Sequence, residues 1–123
     1  MITFDTGALI ALERRGARML RIVDAAAQSG SRITVPTVVV AEWWRARASK
    51  RMARLFEGIE VESLDPRLAK IAGTAIAAVP GATTIDAIVM ASAAQRGDTV
   101  FTSDIDDLTR LTIFFPGVRV LHA

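Results

Sequence analysis

The chain contains no cysteine and no tyrosine, and its only histidine is His122, next to last. Without cysteine there is no disulfide framework and no thiolate site for zinc. Long apolar runs are also missing. No stretch reaches the roughly 18 uninterrupted apolar residues that a membrane-spanning helix needs. The N-terminus lacks a basic segment, and Asp5 falls where a secretory signal would carry apolar residues, so a cytoplasmic protein is expected. The glycine patterns G-x-G-x-x-G and G-x-x-x-x-G-K-[ST] are absent, which leaves dinucleotide and P-loop chemistry without an anchor. The D-x-D string of aspartate-nucleophile phosphatases is absent too, because position 7 is glycine.

What remains is rich in aliphatic residues. Of 123 residues, 51% are hydrophobic, and the mean hydropathy is +0.35. That composition excludes disorder and fits one domain spanning residues 1–123, long enough to bury roughly two-thirds of its unfolded surface. The net charge is only +2, yet the pI is about 9.9 and the basic excess is mostly arginine. Such a balance is compatible with an anionic partner such as RNA.

Strand and helix signals alternate along the chain. Ile2–Phe4 reads as a strand, followed by helical spacing from Ala8. A helix over Ala17–Ser29 carries Leu20, Val23 and Ala27 on one face and stops at Gly30. Ile33–Val35 is a second strand closed by Pro36, and Thr37 can cap a helix carrying Val38, Val39, Glu42, Trp43 and Ala46. That helix continues to about Phe56 and ends at Gly58. Ile59, Val61 and Leu64 suggest a third strand. Asp65-Pro66 opens a helix with Leu68, Ile71, Ala72, Ala75 and Ile76 on its apolar face. Pro80-Gly81 stops it. Ile85–Gln95 is a further helix ended by Gly97, Thr99–Thr102 a strand, Ile105–Leu111 a short helix, and Val118–Leu121 a last strand. The alternation predicts an α/β domain with a mainly parallel, twisted sheet of about five strands flanked by helices.

Four acids lie against core-forming segments. Asp5 ends M-I-T-F-D, Glu42 interrupts V-V-V-A-E-W-W, Asp86 opens T-I-D-A-I-V-M-A, and Asp104 follows T-V-F-T-S-D. A buried carboxylate is costly unless it is paired, hydrogen-bonded or bound to a cation. In parallel sheets, sites form outside the carboxyl ends of the strands. Asp5 and Asp104 each follow a strand, Asp86 sits in a first helical turn, and Glu42 in a second. All four can therefore face one edge, and a shared anionic site points to a divalent cation such as Mg²⁺. Such an ion polarises a phosphoryl oxygen and generates a nucleophile from water, which suits phosphodiester hydrolysis. With His122 in the tail, no imidazole base competes with that reading. Plainer roles exist for each acid. Asp5 can cap the following helix, Asp86 can complete a capping box with Thr83, and Asp104 and Asp107 can favour the start of a short helix. Glu42 can be a solvated glutamate.

The same strings resemble the motifs of the PIN-domain ribonucleases, most closely the small VapC-type toxins of toxin–antitoxin pairs, over the whole chain. F-D-T-G-A-L-I-A-L resembles the opening motif, with Asp5 as first metal carboxylate and Thr6 beside it. V-P-T-V-V-V-A-E-W-W resembles the second, with Glu42. T-T-I-D-A-I-V-M-A-S-A resembles the third, with Asp86. T-S-D-I-D-D-L resembles the fourth, with Asp104 and Asp107 as candidates and Thr102 before them. The resemblance implies a PIN fold and a Mg²⁺- or Mn²⁺-dependent endoribonuclease whose catalytic and metal-holding carboxylates are Asp5, Glu42, Asp86 and Asp104, or Asp107. Thr6 and Thr102 would orient carboxylates or water. It also implies a homodimer neutralised by a cognate antitoxin. Gly7 departs from the family, which often carries a small hydroxyl or amide residue there. Many members also have asparagine at the place of Asp104 and keep the acid three residues later.

Arg14, Arg18 and Arg21 recur at near-helical spacing, as do Arg47, Arg51 and Arg54 with Lys50 nearby. These are solvated helix faces or contacts to RNA phosphates; Arg14 and Arg15 are expected closest to the acidic edge. Trp43 and Trp44 cannot both face the core of one helix, so one belongs to the core and the other to a partner surface or a stacking platform. Met19, Met52 and Met90 read as packing. Asp5-Thr6-Gly7-Ala8 also matches the aspartic-protease string, but that fold is all-β and helices follow here. A receiver-like phosphoacceptor domain would need a lysine near the last strand, whereas Lys50 and Lys70 both lie on helices. A PIN-like module that grips RNA or a partner without cutting is the remaining rival.

Overall fold

The computed structural model describes residues 1–44 and 50–123, with side chains described outside 45–52. Ala46 and Arg47, and the side chains of Lys50, Arg51 and Met52, lie outside what is described. Among the described residues, strands β1 (Ile2–Phe4), β2 (Ile33–Pro36), β3 (Glu60–Glu62), β4 (Thr99–Thr102) and β5 (Arg119–His122) alternate with helices. The helices are α1 (Thr6–Glu13), α2 (Ala17–Ser29), α3 (Thr37–Trp44), α4 (Lys50–Leu55), α5 (Pro66–Ala78), α6 (Thr84–Arg96) and α7 (Ile105–Arg110).

All five strands pair in parallel in the order β3-β2-β1-β4-β5. The chain winds outward from β1 to β3, then returns to the other side of β1 to place β4. The order reverses between β1 and β4, and their carboxyl ends flank the crevice that such a reversal opens. Phe4 is in register with Phe101, and their rings meet edge to face at 6.2 Å. That register sets Asp5 and Thr102, the next residues on each strand, side by side.

Local chemistry explains where the elements stop. Gly30 and Gly97 end α2 and α6 in the left-handed conformation, with φ of 69° and 71°, where a side chain would be strained. Asp65 caps α5 by accepting the Leu68 N–H at 2.7 Å, and Pro66 occupies the first turn. Thr37 is the first residue of α3 rather than a cap outside it.

Helix α6 is buried on all sides from Ala87 to Ala93. Its alanines let the sheet, α3 and α5 approach closely. The buried face of α2 carries Met19 and Ala26, while Leu20 and Ala27 are exposed. The expected stripe was thus out of phase by one residue, because Met19 and Ala26 share a face just as well as Leu20 and Ala27 do. Trp43 is buried, and its indole N–H donates to Glu13 at 3.0 Å. Trp44 is half-buried on an apolar groove of about 550 Å³ walled by Val40, Phe56 and Val61. No helix among the described residues is long and apolar enough to cross a membrane.

Candidate active site

Asp5, Thr6, Gly7, Glu42, Ile85, Asp86, Ser103 and Asp104 line one cavity of about 120 Å³. Four elements deliver its four carboxylates. Asp5 leaves β1, Glu42 sits in the second turn of α3, Asp86 in the first turn of α6, and Asp104 precedes α7. A larger hollow of about 460 Å³ adjoins the cavity. It shares Glu42, Asp86 and Asp104 and adds Thr83, Thr84 and Asp107.

Asp5 is almost wholly buried, at 7% exposure. Its Oδ1 accepts the Ala8 N–H at 2.9 Å and so caps α1. Its Oδ2 accepts the Thr102 hydroxyl from the neighbouring strand. Thr102 Oγ1 in turn accepts the Asp104 N–H at 2.8 Å, tying the two strand ends together. Burial pushes the Asp5 carboxyl up to about 6; the Thr102 and Ala8 hydrogen bonds oppose that rise, and the charges of Asp86 and Asp104 add to it. Burial likewise raises Asp86, against a hydrogen bond with Thr83, and the carboxylates of Asp107, Asp104 and Glu42 raise it further. Asp104, an exposed residue, is raised chiefly by hydrogen bonding with Asp107, with a smaller contribution from desolvation. The site is a concentration of negative charge held in place by the fold.

The plainer roles are present alongside this charge. Thr83 caps α6 by accepting the Asp86 N–H at 3.2 Å. Asp104 occupies the cap position of α7, but its side chain makes no capping hydrogen bond. Of the two candidates in the fourth motif, Asp104 lines the inner cavity. Asp107 lines only the outer hollow and is paired with Arg110. Asp106 is exposed.

The donor set suits a hard divalent cation, which takes oxygen ligands and relieves carboxylate repulsion. Thr6 Oγ1 is buried in the structure without a hydrogen-bond partner, an unsatisfied oxygen on the wall of the same cavity. The carboxylates do not form a closed cage, however. Among the described residues, no three acidic or imidazole groups stand close enough together to hold one ion as placed. Both Asp5 oxygens are engaged, one by the Ala8 N–H and the other by the Thr102 hydroxyl.

Arg14 and Arg15 are exposed and line neither cavity nor hollow. Helix α1 begins at the site and carries them away from it, by roughly 12 Å at about 1.5 Å per residue. Arg18 donates to the His122 carbonyl at 2.7 Å, fastening α2 to β5. Sequence reasoning missed Ser103, which lines the cavity. It also missed a second buried polar cluster, in which Arg96 pairs with Glu62 and Asp98, and Thr3 donates to Asp98 at 2.8 Å.

The profile of the family described as PIN domain matches residues 2–113. No curated protein matches the sequence. Among solved structures, a chain of VapBC2 from Rickettsia felis, bound to a promoter DNA fragment, superposes with a TM-score of 0.80 at 13% identity, covering 100% of this chain and 99% of that one. A chain of DNA-bound VapBC from Salmonella typhimurium gives 0.73 at 19% identity, with 98% and 96% covered. A chain of FitAcB from Neisseria gonorrhoeae gives 0.68 at 21% identity, also with 98% and 96% covered. At these identities the likeness is one of fold, and it agrees with the family match over nearly the full length. The chain belongs to the PIN domain family.

Proposed function

We propose that residues 1–123 form one PIN domain that acts as an endoribonuclease, the toxin of a toxin–antitoxin pair. The observation that carries this reading is the convergence of Asp5, Glu42, Asp86 and Asp104, from four separate elements, on one cavity at the reversal point of the sheet. Those four carboxylates would hold one or two Mg²⁺ or Mn²⁺ ions, with Asp107 close by in the outer hollow. When bound, the cation supplies Lewis-acid polarisation of the phosphoryl oxygen and a nucleophile from water.

The protein's own residues do the rest. Thr102 fixes the orientation of Asp5, and the Asp104 N–H fixes Thr102. Glu42 and Asp86 close the anionic wall from the helix side. The outer hollow has the volume of an ordinary ligand pocket, enough to receive part of an RNA chain. This anionic wall repels RNA phosphate, and a cation held by its carboxylates would offset that repulsion. Solved structures of the same fold include one described as a toxin–antitoxin complex from Klebsiella pneumoniae. It supports a cognate antitoxin as partner, and a homodimer is taken as the working form. An antitoxin arginine placed against the four acids would inhibit by charge-assisted hydrogen bonding.

The test is incubation of the purified protein with structured RNA and Mn²⁺, reading new chain ends. Cleavage that stops in excess EDTA and in Asp5→Asn supports the proposal. Undiminished cleavage in EDTA refutes its metal component, and RNA binding without cut ends leaves a non-cleaving module instead.

A further inference from the structure

Three hydroxyls lie at the acidic cavity, and they differ in what they can reach. Thr102 is committed to Asp5 and to the Asp104 N–H. Thr6 Oγ1 is buried. Ser103 belongs to an exposed residue, and it makes no hydrogen bond among the described residues. Its position is tightly defined. A Cβ built on Gly7 would lie 2.0 Å from Ser103 Oγ, 3.1 Å from Ser103 Cβ and 3.2 Å from Ser103 N. Gly7 lies within α1 and has no left-handed φ, so its backbone does not call for glycine. The missing side chain makes room for the Ser103 hydroxyl, which occupies the volume a side chain at position 7 would fill.

We propose that Ser103 is a substrate-positioning residue whose hydroxyl donates to a non-bridging oxygen of the RNA phosphodiester, and that Gly7 exists to admit it. This rests on the nuclease reading above. A neutral hydroxyl is a poor rival to four carboxylates for a hard cation. As a donor among acceptors, it is matched instead to an anionic oxygen arriving from outside.

The experiment is a double-mutant cycle with a transplant. Ser103→Ala removes the donor and lowers kcat/KM for RNA roughly 10- to 100-fold, the range for a lost hydrogen bond to a charged oxygen. Gly7→Ala forces the Ser103 hydroxyl to rotate away and gives a similar loss. Combining them costs little more than either alone, because both remove the same contact. Gly7→Ser with Ser103→Ala moves the hydroxyl to the other wall and recovers most of the activity. Mn²⁺ affinity, read by calorimetry, stays within about twofold of wild type in Ser103→Ala.

The inference is overturned if Ser103→Ala cuts like wild type, if the two losses multiply, or if Mn²⁺ affinity falls with activity. If Gly7→Ala does not fold, as judged by circular dichroism, Ser103→Ala and the transplant still decide. Wild-type protein that binds Mn²⁺ and cuts no RNA defeats the nuclease reading itself, and this inference with it.

Discussion

Helix α6 carries a polar cluster at each end, and the two are built on opposite charge logic. At its C-terminal end Arg96 lies between two carboxylates. Its guanidinium meets Glu62 and, at 2.8 Å, Asp98, while Nη2 reaches Thr3 and Ser92 at 3.0 Å. Thr3 donates to Asp98, and Ser92 donates to Glu62 at 2.7 Å. Asp98 is only 1% exposed, yet its charge has a cation beside it. At the N-terminal end Asp86 joins Asp5, Glu42 and Asp104, and among the described residues no basic side chain lines that cavity. One cluster is balanced within the chain and ties α6 to β1 and β3. The other gathers four carboxylates around one cavity. A buried acid with its own arginine, such as Asp98, is therefore read as architecture, and buried Asp5, whose hydrogen-bond partners are the neutral Thr102 hydroxyl and Ala8 N–H, as a place for a cation from outside.

Substitutions separate the two ends. The largest expected effect is on chemistry. Asp5→Asn removes one carboxylate from the anionic site, and cleavage falls about a thousandfold or more, since a catalytic cation contributes several kcal/mol to the transition state. Rates measured on a labelled RNA with Mn²⁺, beside an unfolding curve of the same variant, check this. The fold should be retained. Arg96→Ala should do the reverse. It strands Asp98 in the core and costs about 3–5 kcal/mol of stability, read from urea unfolding. Whatever fraction remains folded should still cut RNA. Loss of specific activity in the folded fraction would show that the two clusters are coupled through α6.

A pH series sharpens the contrast. Burial pushes the folded Asp5 carboxyl up to about 6, above the ordinary aspartate value of 3.8 that stands for the unfolded chain. The metal-free fold therefore holds that proton more tightly than the unfolded chain does. The resulting stabilisation is complete below pH 4 and is lost as pH rises through 6. The difference amounts to about 3 kcal/mol at about 1.4 kcal/mol per unit. In EDTA, unfolding should thus be harder at pH 5 than at pH 7.5 as far as this group is concerned, and Asp5→Asn should flatten the difference. Mn²⁺ added at pH 7.5 should raise the melting temperature, because it binds only the folded form. A profile in EDTA that is unchanged by Asp5→Asn would place the titration elsewhere.

Much of the fold was legible because its punctuation is local. Gly30, Gly97, Asp65-Pro66 and Pro80-Gly81 act within one turn of themselves, and the elements between them carry clear periodicity. The candidate acids stood out for a related reason: each is an ionisable residue at the edge of an apolar segment. The Arg96 cluster was not legible. Glu62 and Arg96 are 34 residues apart, and they meet only because α6 crosses the sheet over β1 toward β3. The face of α2 depended on a one-residue phase choice between equally apolar stripes. Arg14 and Arg15 were expected near the site from their place in the sequence, but the direction of α1 takes them from it. Ser103 and Gly7 are 96 residues apart and fit at the scale of an ångström, which no residue pattern encodes.

The smallest expected effect comes from an acid that matches Asp5 in local geometry and differs in everything else. Asp65 caps α5 as Asp5 caps α1, each with its Oδ1 accepting the N–H three residues on, at 2.7 and 2.9 Å. Asp65 is exposed and far along the sheet from the cavity it does not line. Asp65→Ala should cost about 1 kcal/mol of stability, the usual worth of an N-cap, and leave cleavage unchanged. Asp65→Asn should be silent in both, because asparagine caps as well as aspartate does. Asparagine at position 5 keeps the same cap but loses the charge and, with it, the acceptor for the Thr102 hydroxyl. If Asp65→Asn and Asp5→Asn behaved alike, capping would account for both aspartates; if only Asp5→Asn lost cleavage, the second carboxylate oxygen in the cavity, with its charge, would be the part that matters.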